Sequence, residues 1–187
     1  LVEQYSCQVV GALPRIWQTT EEKGLRKKLQ LWHDIPLSGI LCGNLGSVEL
    51  AKQEDWLGRI YGDFGLNVFN DASIYALADC GCKSVALSLE LTLEQMRKMN
   101  GMIQKEVLVH GSAPLMVSRH CIAGSVLGGK SEHQSCVKPC QKNRYYLKDR
   151  KGVDFPFLLD NHCRMHIFNS REHCLISDLK QIKNAGI

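Results

Sequence analysis

The chain has 187 residues, 44% of them hydrophobic, and 23 Lys and Arg against 19 Asp and Glu give it a formal charge of +4. That length supports a core in one domain or slightly more, and no apolar run approaches the ~20 residues of a membrane span. The first residues, Leu-Val-Glu-Gln-Tyr, lack the basic start and apolar centre of a signal peptide. Nine cysteines, an odd number with no secretory signal, argue against a disulfide framework and for a reducing, cytoplasmic setting.

From Ala12 to His110 a short apolar or β-branched run, a polar turn and an amphipathic helical pattern recur. Strands are predicted at Leu13 to Trp17, Gly39 to Cys42, Arg59 to Gly62, Ser84 to Leu87 and Glu106 to Val109. Helices are predicted at Glu21 to Trp32, Ser47 to Trp56, Ala72 to Asp79 and Leu91 to Met99. Ser47 and Thr92 are placed to cap their helices, and Gly81 and Gly101 to end theirs. Such alternation is the signature of a parallel sheet. About five strands, where eight close a barrel, predict an α/β fold that is the later part of a TIM-like (β/α) barrel. The alternative is an open five-stranded sheet. The chain, which starts without Met, is expected to be a fragment or to pair with another chain that completes the barrel.

In such folds chemistry sits at the C-terminal strand ends. The polar residues there are Asn44, Asp63, Asn67, Asn70, Ser88, Glu90 and His110. Asn67, Asn70, Glu90 and His110 are the catalytic candidates, although Asn and Asp also cap helices and form turns.

After Gly111 the alternation stops, which predicts a partial barrel over 1–116 and a cysteine-rich segment over 117–187. Gly124, Gly128 and Gly129 followed by Lys130, Ser131 and Glu132 read as an exposed loop. Tyr145 to Lys148 and Phe155 to Leu158 flank the turn Asp149-Arg150-Lys151-Gly152 as a β-hairpin. Ile176 to Leu179 leads into a last capped helix. From Val117 to Ile187 there are 12 Lys and Arg against 6 Asp and Glu, net +6, leaving 11 against 13, net −2, for residues 1–116. The basic excess suits an anionic partner such as RNA or a carboxylate metabolite, or offsets thiolate ligands, or is a solvated face.

The segment is organised around Cys121, Cys136, Cys140 and Cys163, with Cys174 as a substitute for the last. Four soft thiolates point to a metal site, divided by spacing alone between an iron-sulfur cluster and zinc. Lys138 and Lys142 beside the close pair favour thiolates. Cys7, Cys42, Cys80 and Cys82 fit buried, inert positions. His162 and His166 are four apart but lack the Glu of a zinc protease, so His120, His162, His166 and His173 read as surface residues.

Four phrases together resemble the collagenase-like peptidase family of unassigned (U) catalytic type: Leu66 to Asn70, Leu87 to Leu91, Val109-His110-Gly111 with Pro114-Leu115-Met116, and Cys136 to Cys140. The resemblance runs from about Leu13 to the C-terminus. It implies a TIM-like barrel followed by cysteine-bearing elements. Several members of that family are oxygen-independent hydroxylases that act on a tRNA or rRNA pyrimidine with prephenate as donor, or on the ubiquinone ring, and hold a 4Fe-4S cluster on four cysteines. Cys121, Cys136 and Cys163 match ligand positions. Many members have a further cysteine where this chain has Pro114, and Cys140 restores the count of four.

The expected function is therefore an iron-sulfur-dependent hydroxylase of an RNA base. Arg119, Lys138, Lys142, Arg144 and Arg150 are candidates to meet phosphate or the carboxylates of prephenate. One alternative is a peptidase, which needs an activated nucleophile or a metal-bound water. The other is a non-catalytic RNA- or protein-binding domain with a structural metal. A membrane partner is not expected.

Overall fold

Short apolar runs such as Gly39-Ile40-Leu41-Cys42 have no polar face, as strands covered on both sides require. They form a five-stranded parallel sheet in the computed structural model, which describes residues 7–129 and 134–187. Its strands are β1 (Val10–Ala12), β2 (Gly39–Cys42), β3 (Arg59–Gly62), β4 (Cys82–Ala86) and β5 (Gln104–Glu106). They lie side by side in chain order, every pair parallel. Between them run α1 (Thr19–His33), α2 (Leu45–Gln53), α3 (Asp71–Asp79) and α4 (Leu93–Lys98). Ile40, Val48, Ile74, Val85 and Leu29 are wholly buried at the centre of this core. The sheet is open: among the described residues β1 and β5 each pair on one side only, and no closed barrel forms.

β2 and β3 match their expected spans, and the others shift. Leu13 lies beyond β1, its N–H still reaching Leu41 O at 3.0 Å, and Pro14 has no N–H with which to extend the ladder. β4 begins two residues earlier than expected, and Leu87 instead bridges to Val68. β5 ends where a strand was expected to begin.

The helix starts also have local causes. Thr92 caps α4 as expected, in a reciprocal capping box with Gln95. At α2 the cap is Asn44, whose side chain accepts from Ser47 N at 2.7 Å. Ser47 itself lies inside the helix, wholly buried, and its Oγ accepts from Trp17 Nε1 at 3.0 Å. Gly81, with φ +91, follows α3 as expected. Gly101 has no left-handed backbone; a Cβ there would stand 2.7 Å from Ile74 Cγ2, so closeness to that side chain accounts for it.

A second compact unit comprises Val109–Ser177, while Asp178–Ile187 belongs with Leu1–Leu108. The division expected after residue 116 therefore falls earlier, because β6 (His110–Gly111) and β7 (Pro114–Ser118) pair with strands of the second unit. β7 joins β10 (Met165–Phe168), β9 (Asp154–Leu159) and β8 (Tyr145–Lys148) in an antiparallel sheet of order β7-β10-β9-β8. β6 pairs with β11 (His173–Cys174). The expected hairpin is β8–β9, closed by Asp149 Oδ1 accepting from Lys151 N at 2.8 Å and Val153 N at 2.9 Å. Phe157, Met165 and Ile167 form a second core with Cys121 and with Ala123 of α5 (Ile122–Val126). The last helix, α6 (Leu179–Asn184), follows a 3-10 turn at Ile176–Asp178 and buries Ile182. Among the described residues no helix is long and apolar enough to cross a membrane.

Candidate functional site

In the first unit the C-terminal strand ends collect polar groups. Asp63 follows β3, and its Oδ1 accepts from Phe64 N at 2.8 Å. Burial pushes its carboxyl up, with Glu106 adding to the rise, while the Phe64 N–H and the Arg15 charge pull it down. Arg15 stacks its guanidinium 5.0 Å from the Phe64 ring centre. The buried Ser84 hydroxyl donates to Glu106 at the end of β5. A carboxyl raised by burial beside a guanidinium is a chemistry-bearing arrangement. Arg15, Ser84 and Glu106 were not foreseen as site residues. Ser84 and Glu106 lay inside predicted strands, and Arg15 in a strand that ends before it.

The catalytic candidates fall into different roles. Asn67, with φ +50, closes the 3-10 turn Phe64–Leu66. Asn70 caps α3, accepting from Ser73 N at 2.9 Å. Glu90 is exposed, and its N–H donates to Ser88 Oγ at 3.3 Å. Asn44 caps α2 while its Nδ2 donates to Arg15 O at 2.8 Å. Caps and turns thus explain three of these residues. His110 belongs to the second unit, where Nε2 stands 3.8 Å from Glu172 Oε1.

The second unit holds the cysteines. Cys121 is the N-cap of α5, its sulfur accepting from Gly124 N at 3.2 Å. Cys136 Sγ approaches the same stretch: a Cβ on Gly124 would stand 3.2 Å from Cys121 Sγ and 3.6 Å from Cys136 Sγ, and one on Gly128 would collide with Cys136 Sγ. Gly124 and Gly128, expected in an exposed loop, are therefore the packing surface of two thiols. Gly124 is buried in α5; Lys130, Ser131 and Glu132 lie outside the described residues. Cys140 sits in the 3-10 turn Pro139–Gln141, which packs on α5. Cys163 is exposed in the turn between β9 and β10, with φ +59, and Cys174 is exposed in β11 opposite His110. Among the described residues no three Cys, His, Asp or Glu side chains stand together as a metal-binding group. The residues fit a cluster in part: two thiols converge and a third follows on a neighbouring turn, while Cys163 is not gathered with them.

The remaining cysteines and histidines are settled by burial. Cys42 and Cys82 are buried as expected, whereas Cys7 is exposed. Cys7 and the following Gln8 lie ahead of β1, and both are exposed. His166, expected at the surface, is half-buried and lies 3.4 Å from Asp160 Oδ2. His162 and His166 do not share a helix face, since one is in a turn and the other in β10. Asp160 also accepts from His162 N, Arg164 N and the buried Arg164 Nε, at 2.9, 2.9 and 2.6 Å. Arg119, Lys138, Lys142, Arg144 and Arg150 are all exposed in this unit.

An open parallel α/β sheet followed by a cysteine-bearing antiparallel unit is the class this geometry defines. The chain belongs to peptidase family U32, whose model matches residues 1–187. It is 22% identical over 171 residues to a Methanocaldococcus jannaschii protein named as an uncharacterized protease, covering 86% of this chain and 40% of that one. It is 25% identical over 126 residues to tRNA hydroxylation protein P of Helicobacter pylori, covering 64% of this chain and 30% of the relative. The chain thus spans less than half the length of either relative. No solved structure matches it.

Proposed function

We propose that this chain is part of an enzyme that hydroxylates a pyrimidine of tRNA or rRNA, with prephenate as hydroxyl donor and a 4Fe-4S cluster held by Cys121, Cys136, Cys140 and Cys163. The observation that carries the reading is that the Cys121 and Cys136 sulfurs both flank Gly124, with Cys136 Sγ also filling the space beside Gly128. Adjacent thiolates with bare glycine backbone beside them suit an inorganic cluster, whose sulfides need close backbone approach. A cluster of this type supplies one-electron redox chemistry when bound. Support for RNA comes from the name of the Helicobacter pylori relative and from the charge of Val109–Ser177, where ten Lys and Arg face five Asp and Glu. The Asp63, Arg15 and Glu106 group is the proposed acid–base centre, and the five consecutive parallel strands suit part of a (β/α) barrel.

The test is anaerobic purification with iron, sulfide and zinc analysis beside a visible spectrum. A brown protein with about four iron per chain, bleached by Cys136→Ala, is the expected result. A colourless protein, or one carrying a single zinc, overturns the cluster. Peptide hydrolysis, the second reading, rests on the family name and on the name of the archaeal relative.

A further inference from the structure

We propose that the outer face of the antiparallel sheet in the second unit carries a nucleobase pocket for single-stranded RNA, a reading that rests on the RNA substrate class above. Along β8 the side chains alternate. Tyr145 and Leu147 pack against the second core, so Tyr146 and Lys148 face outward, with Arg144 preceding them in the same phase. A cavity of about 330 Å³ opens there, lined by Ser112, Arg144, Tyr146, Pro156, Leu158 and Phe168, and bounded as well by Tyr145 and Phe157, whose side chains belong to the second core. Tyr146 lies directly across the ladder from Pro156. Tyr146 and Leu158 remain 54% and 61% exposed, a large apolar surface for a unit this small.

The chemistry of that surface selects its occupant. A mostly apolar cavity with Tyr146 and Phe168 in its wall suits a planar ring, and base stacking on an aromatic side chain tolerates any base. Arg144 is exposed and has no ion pair among the described residues, so it is available to a phosphate at the cavity rim. Lys148 is partly neutralised by Asp154, 3.4 Å away. An uncharged apolar partner would gain nothing from Arg144 or from the twofold excess of cations in this unit. Unpaired RNA presents both of the required features, an exposed base face and a phosphate one bond system away, whereas duplex RNA hides its bases.

The experiment is binding of a short fluorescent single-stranded RNA to the full chain across a salt series, with melting temperatures checked for each variant. Tyr146→Ala is expected to weaken binding about tenfold, and Tyr146→Phe to retain it. Arg144→Ala is expected to reduce the slope of log affinity against log salt by about 0.7, the share of one phosphate of a single strand. A Tyr146→Ala protein that melts like wild type and binds RNA like wild type overturns the pocket, leaves the RNA reading standing and gives this face to a protein partner. A wild-type chain that binds no RNA at low salt overturns both.

Discussion

Gly128 and Cys136 are fitted to one another: the sulfur occupies the space where any side chain on Gly128 would begin, and Val137 N donates to Gly128 O at 3.1 Å across the same contact. A Gly128→Ala change must displace Cys136 Sγ and also crowd the backbone O and Cα of Gly124, at 2.9 and 3.0 Å, which cannot yield like a flexible side chain. Overpacking of this kind costs about 1–3 kcal/mol, and calorimetry should show it in the second unit. Gly24, inside α1 with no atom within 4 Å of an added Cβ, is the control. Gly24→Ala should stabilise by roughly 0.5–1 kcal/mol through helix propensity. If Gly128→Ala melts like wild type, the Cys136 thiol is not packed on that glycine.

Ser47 gives a second, independent prediction in the first unit. Its hydroxyl is wholly buried and takes the Trp17 indole N–H. Ser47→Ala leaves that donor without its acceptor, a loss of about 1–3 kcal/mol. Urea denaturation followed by tryptophan fluorescence reads both the stability and the change around the ring. An unchanged midpoint would mean that the indole finds water instead.

How much of this was legible in the sequence differs between the two units. In the first, period and propensity are local, so β2, β3 and the Thr92 cap follow directly from Gly39–Cys42, Arg59–Gly62 and the Thr-x-x-Gln pattern. The Asn44 cap was mistaken for Ser47 because either residue type satisfies a first-turn N–H; burial under Trp17 decides between them. Ser84 and Glu106 meet through the pairing of β4 with β5, and Arg15 reaches Phe64 and Asp63 from beyond β1, neither of which a local pattern reveals. In the second unit the hairpin was readable from Asp149 and Gly152, but Gly124 and Gly128 looked like loop residues. Their role depends on Cys136, whose approach to α5 is set by tertiary packing.

Cys42 predicts an alkaline transition. Burial pushes its thiol up to about 12, with Cys82 adding to the effect, and burial pushes Cys82 up to about 11. A thiol raised in the folded state contributes stability that is full below the ordinary thiol pKa, near 9, and lost as pH rises toward the folded value. Stability should therefore fall between about pH 9 and 12 more steeply in the wild type than in Cys42→Val, by an order of a few kcal/mol. Parallel curves for the two proteins would sink this attribution. At neutral pH a thiol reagent should modify the exposed Cys7 and Cys174 while Cys42 and Cys82 stay protected.

Asp160 predicts the opposite pH dependence in the turn that bears Cys163. Burial opposes its ionised form, but hydrogen bonds from the side chain and backbone of Arg164, then from His166 and His162, outweigh it and hold the carboxyl at about 2. The folded value lies below the unfolded one, so its stabilisation is present above about pH 4 and disappears as pH falls toward 2. Arg164 is itself buried, and Asp160→Asn leaves that charge without its carboxylate, a loss of about 2 kcal/mol at neutral pH. The measurement is the gap in melting temperature between wild type and Asp160→Asn as a function of pH. It should be widest near neutrality and close in acid, because protonated Asp160 and Asn are then alike in charge. A gap that persists unchanged into acid would mean that the turn is held by backbone geometry, with Cys163 positioned independently of the Asp160–Arg164 pair.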